Sequence, residues 1–116
     1  MIAHVVLYQP RPGLSAADRA GFQAALTTAL RDIPSIRRAR VGSRVRHGAA
    51  YEALMPTDFE FVGILEFDDL AGLQAYLDHP AHAALGTLFY TSNAAALAYD
   101  YDVPDGDPLA TIASWR

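Results

Sequence analysis

Residues 2–8, IAHVVLY, are apolar on both sides of an extended chain. Side chains alternate along a strand, so Ile2, Val6 and Tyr8 share one face with His4, and Ala3, Val5 and Leu7 take the other. A sheet with one face in water alternates apolar with polar residues. This segment therefore needs cover on both sides, since each large aliphatic side chain left exposed forgoes about 1.5–3 kcal/mol. Residues 58–67 repeat the demand, with Phe59, Phe61, Leu65 and Phe67 on one face and Val62 and Ile64 beside Glu60 and Glu66 on the other. Helices can cover one face of such a sheet. The other is most simply covered by a second copy of the chain in a two-fold dimer.

The order of periodicities selects the topology. After the first strand, Pro10, Pro12 and Gly13 mark a turn. Ser15 three residues before Asp18 can cap a helix reciprocally, and Phe22, Leu26, Ala29, Leu30 and Ile33 recur at helical spacing up to Pro34. Residues 38–46 alternate Arg38, Arg40, Arg44 and Arg46 with Ala39, Val41, Ser43 and Val45, which reads as a second strand. A loop over 47–57 leads to the third strand, 58–67. Residues 70–78 and 80–92 read as a helix interrupted at Pro80, and 94–103 as a last strand with Leu97, Tyr99, Tyr101 and Val103 on one face. The sequence β-α-β-β-α-β predicts an α+β, ferredoxin-like fold, with both helical segments on one face of a four-stranded antiparallel sheet.

Composition excludes several classes of function. A chain of 116 residues builds one domain with its own core. It has no cysteine, so thiolate catalysis, Cys-ligated zinc and disulfides are excluded. Thirteen acidic against nine basic residues give a net charge of −4, the wrong sign for binding nucleic acid or an anionic membrane. No segment has the pattern of a signal peptide or a membrane span, and a cytoplasmic protein is expected.

The segment LQAYLDHPAHAAL, residues 73–85, gathers Tyr76, His79 and His82 around Pro80. Pro80 suits the first turn of a new helix, with His79 or Asp78 leading into it. His82 then lies in that first turn on a stripe with Leu85, Gly86 and Phe89, pointing at the sheet. The helix dipole and desolvation both disfavour imidazolium there, and a neutral imidazole is what a general base requires. Tyr76 can offer its hydroxyl to a developing enolate oxygen, and His4 completes the site if it projects on the helix side. Each also has a structural reading: His82 bonded to a backbone carbonyl or to Tyr76, His4 as a satisfied core histidine, Tyr76 as core. His79 reads as a cap. Two histidines with no evident third ligand make a poor metal site, and no metal or cofactor is expected.

MIAHVVLY, PGLS, IPSIRRARVG and above all LQAYLDHPAH resemble the stress-responsive A/B barrel (Dabb) family over about residues 1–103. The family consists of small dimeric α/β barrels with ferredoxin-like protomers and includes olivetolic acid cyclase, which closes a linear polyketide by aldol condensation. The resemblance implies a homodimer without a cofactor that binds a small apolar, aromatic or polyketide-like ligand. It matches the general-base histidine to His82, the helix tyrosine to Tyr76 and the first-strand histidine to His4. A further pocket histidine of the cyclase falls near Phe61, where this chain departs from the pattern. A cyclase or lyase of this kind stands beside two other readings: a non-catalytic stress-response binding protein, and a cofactor-free monooxygenase or isomerase.

Three features lie outside that site. The arginines of 38–46 face Asp58, Glu60 and Glu66 across a hairpin, which predicts cross-strand ion pairs, with anion binding as the alternative. Tyr51, Leu54 and Met55 in the 47–57 loop suggest a pocket lid or a dimer contact. The tail, 104–116, opens with the turn PDGDP and carries Leu109, Ile112 and Trp115, which suggests a segment docked on the partner's sheet edge or over the pocket mouth.

Overall fold

The structure, a computed structural model, describes residues 1–113. Its elements are β1 (Ile2–Pro10), α1 (Ala16–Asp32), β2 (Arg38–Ser43), a 3-10 turn (Ala50–Leu54), β3 (Phe61–Phe67), α2 (Leu70–Asp78), α3 (Pro80–Ser92), β4 (Asn93–Asp102) and α4 (Pro108–Ile112). The four strands form one antiparallel sheet in the order β2-β3-β1-β4. This is the ferredoxin-like α+β arrangement that the periodicity predicts.

Local signals fix the helices. Gly13 turns the chain with a φ of 79°, in the left-handed region that side chains with a Cβ avoid. Ser15 then caps α1: its Oγ accepts from the Asp18 N–H at 3.0 Å, and Asp18 accepts in return from the Ser15 N–H at 3.3 Å. His79 caps α3 through Nδ1, which accepts from the Ala81 N–H at 3.0 Å, and Pro80 occupies the first turn.

Register fixes the faces. Ile2 lies opposite Phe67, His4 opposite Leu65 and Asp100, Val6 opposite Gly63 and Ala98, and Tyr8 opposite Phe61 and Ala96. These side chains face the helices. Phe67 and Ile33 are the largest fully buried side chains, and with Ala29, Leu73, Tyr76 and Leu85 they close a core at the Ile2 end of the sheet. On the opposite face Ala3, Val5 and Leu7 sit beside Val62, Ile64, Leu97, Tyr99 and Tyr101. Tyr99 and Tyr101 are 52% and 53% exposed there.

Two boundaries of the β2–β3 hairpin depart from the sequence expectation. β2 ends at Ser43 rather than at residue 46, and β3 begins at Phe61 rather than at 58. The Arg44 N–H donates to the Glu60 carbonyl at 2.7 Å, and the Glu60 N–H then turns to the Gln9 side chain at 2.9 Å. Beyond that point the alternation of arginine and acid makes ion pairs instead of ladder: Arg44–Asp58 at 2.7 Å, Arg46–Asp58 at 2.8 Å and Arg46–Glu60 at 2.9 Å. Arg40 pairs with Glu66 at 2.8 Å, so cross-strand pairing accounts for most of the arginine pattern. The Asp58 carboxyl, hydrogen-bonded by Arg46, is held below its ordinary range.

The 47–57 segment folds on itself, and its Gly48, Glu52, Ala53 and Met55 line a hollow with Arg44, Arg46 and Asp58. Glu52 accepts from the backbone N–H groups of His47 and Gly48, and Tyr51 Oη meets His47 Nε2 at 2.8 Å. Within the tail, Pro108–Ile112 form a helix: Asp107 caps it on the Leu109 N–H at 2.9 Å and Pro108 takes its first turn. Leu109 and Ile112 are exposed, and Trp115 lies outside the described residues. Among the described residues, no helix is long and apolar enough to cross a membrane.

Candidate functional site

Between the helices and the sheet lies a cavity of about 400 Å³. Its floor comes from all four strands, its walls from α1 and α2, and its roof from α3 through His82, Leu85, Gly86 and Phe89. The lining is mostly apolar, and four polar side chains gather at one end: His4, Tyr76, His82 and Asp100. No residue of the 47–57 segment or of the described tail lines it.

His4 projects from β1 on the helix side and is 8% exposed. Its Nδ1 lies 2.6 Å from Asp100 Oδ1. A carboxylate only accepts, so Nδ1–H is the donor and the ring's orientation is fixed. Tyr76, 3% exposed, stands between the two histidines, with ring centroids 5.7 Å from His4 and 4.6 Å from His82. Phe67 backs it at 5.2 Å. The Tyr76 hydroxyl makes no hydrogen bond among the described residues. The residue lines the cavity. Burial, with the Asp100 charge adding to it, pushes the pKa of the Tyr76 hydroxyl up to about 12, so at neutral pH it keeps its proton and is a hydrogen-bond donor.

His82 sits in the first turn of α3 and reaches back to the end of α2, where its Nδ1 lies 3.2 Å from the Leu77 carbonyl oxygen. A carbonyl accepts, so Nδ1 carries the proton and Nε2 keeps its lone pair. That contact also serves a carbonyl at a helix end that lacks a partner within the helix. Desolvation lowers the His82 pKa, the bond to Leu77 opposes the shift, and His4 reinforces it. The ring is a neutral imidazole at pH 7 with a free Nε2, the form that accepts a proton.

The structure thus brings His4, Tyr76 and His82 together and leaves His79 outside as a cap. Phe61, where the resemblance puts a further histidine, stacks on Tyr8 at 5.5 Å instead. Sequence reasoning missed Asp100. The signal was the run Tyr99-Asp100-Tyr101-Asp102, which places a carboxylate on the helix side of a strand whose other face is aromatic. Among the described residues, no group of three or more His, Asp or Glu side chains is arranged as metal ligands would be.

The Stress responsive A/B Barrel Domain family matches the chain over residues 2–103. No curated protein matches it. Among solved structures, the hydroxynitrile lyase from Passiflora edulis superposes with a TM-score of 0.74 at 14% identity, over 92% of this chain and 96% of that one. An Arabidopsis thaliana protein gives 0.73 at 19% identity, over 92% and 99%. A dimeric ferredoxin-like protein of unknown function from Jannaschia sp. gives 0.69 at 25% identity, over 88% and 98%. These likenesses establish the fold.

Proposed function

The chain belongs to the stress responsive A/B barrel (Dabb) family, and from that premise we propose that it is a homodimer whose protomer cavity binds a small aromatic or polyketide-like ketone and catalyses proton transfer on it without a cofactor. One observation carries the reading. A neutral imidazole with a free Nε2 and an unbonded tyrosine hydroxyl lie side by side at one end of an otherwise apolar cavity.

The chemistry follows from those groups. His82 Nε2 takes a proton from the carbon beside the substrate carbonyl, and the electron pair of that C–H bond moves into the enolate. Tyr76 Oη–H donates to the oxygen on which the charge develops, a donor that strengthens as charge grows in a water-poor site. The enolate carbon then attacks a second carbonyl of the same molecule, and the imidazolium returns its proton to the new alkoxide. The sum is an aldol-type ring closure; run backwards, it cleaves the same bond. His4, held by Asp100, orients the carbonyl chain.

The dimer rests on the sheet face that the helices leave bare. Val5, Leu7, Val62 and Ile64 lie there beside Leu97, Tyr99 and Tyr101, the last three substantially exposed, and a contiguous apolar patch of that kind marks an interface. The Jannaschia relative is itself described as dimeric.

The test is a structure with a bound enolisable aryl ketone. The expected pose has the ketone oxygen within hydrogen-bond reach of Tyr76 Oη and the adjacent carbon against His82 Nε2. A ketone bound with its carbonyl at the far end of the cavity, or outside it, would overturn the reading.

A further inference from the structure

The cavity exists because one row of the sheet is built from small side chains. Register aligns Val41, Gly63, Val6 and Ala98 across all four strands. The neighbouring rows are larger, with Leu65 and His4 on one side and Phe61 and Tyr8 on the other. Gly63 in the floor and Gly86 in the roof each leave space: a Cβ added at either meets nothing within 4 Å. What remains between them is a slot with a different chemistry at each end.

The end away from His82 is aromatic. Tyr8 stacks on Phe61 at 5.5 Å and 23°, and meets the edge of Phe89 at 5.6 Å and 68°. Phe22 lies 6.3 Å from Phe89 and completes the wall. The ring of Tyr8 is therefore held from two sides, yet its hydroxyl makes no hydrogen bond among the described residues and is not sealed from solvent. Burial raises its pKa, so it too remains a donor. From His4 to Tyr8 is four residues along one strand, about 13 Å. The slot has a hydrogen-bond donor free for a ligand near each end.

We propose that Tyr8 is a specificity-determining residue, and that the ligand is a flat aromatic ketone carrying a hydrogen-bond acceptor at the end opposite its reacting carbonyl, which the Tyr8 hydroxyl binds. The inference rests on the cavity's being a ketone site and adds what lies at the ligand's other end. A purely hydrocarbon tail would leave the Tyr8 donor without a partner in a partly desolvated place, and that loss discriminates against it.

The test compares para-methoxyacetophenone with its near-isostere para-ethylacetophenone by calorimetry on the full chain. Wild type binds the methoxy compound about 2- to 10-fold tighter, the range that one net hydrogen bond supplies. Tyr8→Phe keeps the ring against Phe61 and Phe89 and brings the ratio to about one, with the ethyl compound's affinity unchanged. A ratio near one in wild type, or a ratio that survives in Tyr8→Phe, overturns the role of Tyr8 and leaves the ketone site standing. Failure of wild type to bind either compound overturns this inference together with the ketone reading beneath it.

Discussion

Replacing Gly63 by valine separates stability from function at a single position. Gly63 lies in the middle of β3 between Val6 and Val41, with its missing side chain directed into the cavity and nothing within 4 Å of an added Cβ. A valine there covers apolar surface at about 0.8 kcal/mol per buried methylene equivalent. It also replaces a poor strand former by a good one, within a scale that spans about 1 kcal/mol. These gains overlap, because strand preference is itself partly burial, and they leave a net stabilisation of about 1–3 kcal/mol. In a domain of this size that raises Tm by several degrees, at about 4 °C or more per kcal/mol. The assay is urea unfolding with an unchanged slope and a higher midpoint, together with the affinity for para-methoxyacetophenone, which falls at least tenfold. A loss of about 1–3 kcal/mol, the usual result of overpacking, would refute the claim that the row is empty. Undiminished affinity in a stabilised variant would show that the ligand lies elsewhere.

Four further outcomes are expected. Tyr99→Glu with Tyr101→Glu places charges on the bare sheet face, and sedimentation at micromolar concentration should turn from dimer to monomer; a wild-type monomer contradicts the interface. The pH profile of turnover should rise through a pKa below 6.5, the ordinary His82 value, and then stay flat to pH 10, because Tyr76 keeps its proton up to about 12. Stability follows the same groups. Desolvated His82 binds its proton less readily folded than unfolded, so its contribution is present above pH 6.5 and is lost as pH falls through the lower folded value. The contribution of Tyr76 is complete below pH 10 and is lost as pH rises toward 12. Finally, Asp58→Asn breaks the ion pairs with Arg44 and Arg46, but the Asp58 carboxylate is 59% exposed and solvent screens both pairs, so urea unfolding should register a loss of less than about 1 kcal/mol.

Local chemistry made most of the fold legible. The Ser15 and Asp18 pair, Pro80 after His79, and the two-sided apolar run of β1 each report on their own neighbourhood, and they place α1, α3 and the sheet's need for cover. The ends of β2 and β3 were not legible, since alternating Arg44, Arg46, Asp58 and Glu60 looks the same whether it lines a ladder or forms ion pairs past its end. Helix α4 is too short to show a period, although Asp107 before Pro108 was a usable cap signal. Within the site, Tyr76 and His82 share a junction and could be read together. Asp100 lies 96 residues from His4, and only the β1–β4 register joins them. Gly63 and Gly86 shape the cavity by lacking a side chain, and a missing side chain leaves no mark on hydrophobic periodicity.

The most direct test of the central claim, that His82 Nε2 removes a proton beside a bound carbonyl, is deuterium exchange into the methyl group of para-methoxyacetophenone followed by NMR. Catalysed exchange should saturate with ketone concentration, slow in Tyr76→Phe, and disappear in His82→Gln while the ketone still binds. Exchange at the buffer rate in wild type with the ketone bound, or an undiminished rate in His82→Gln, would contradict it.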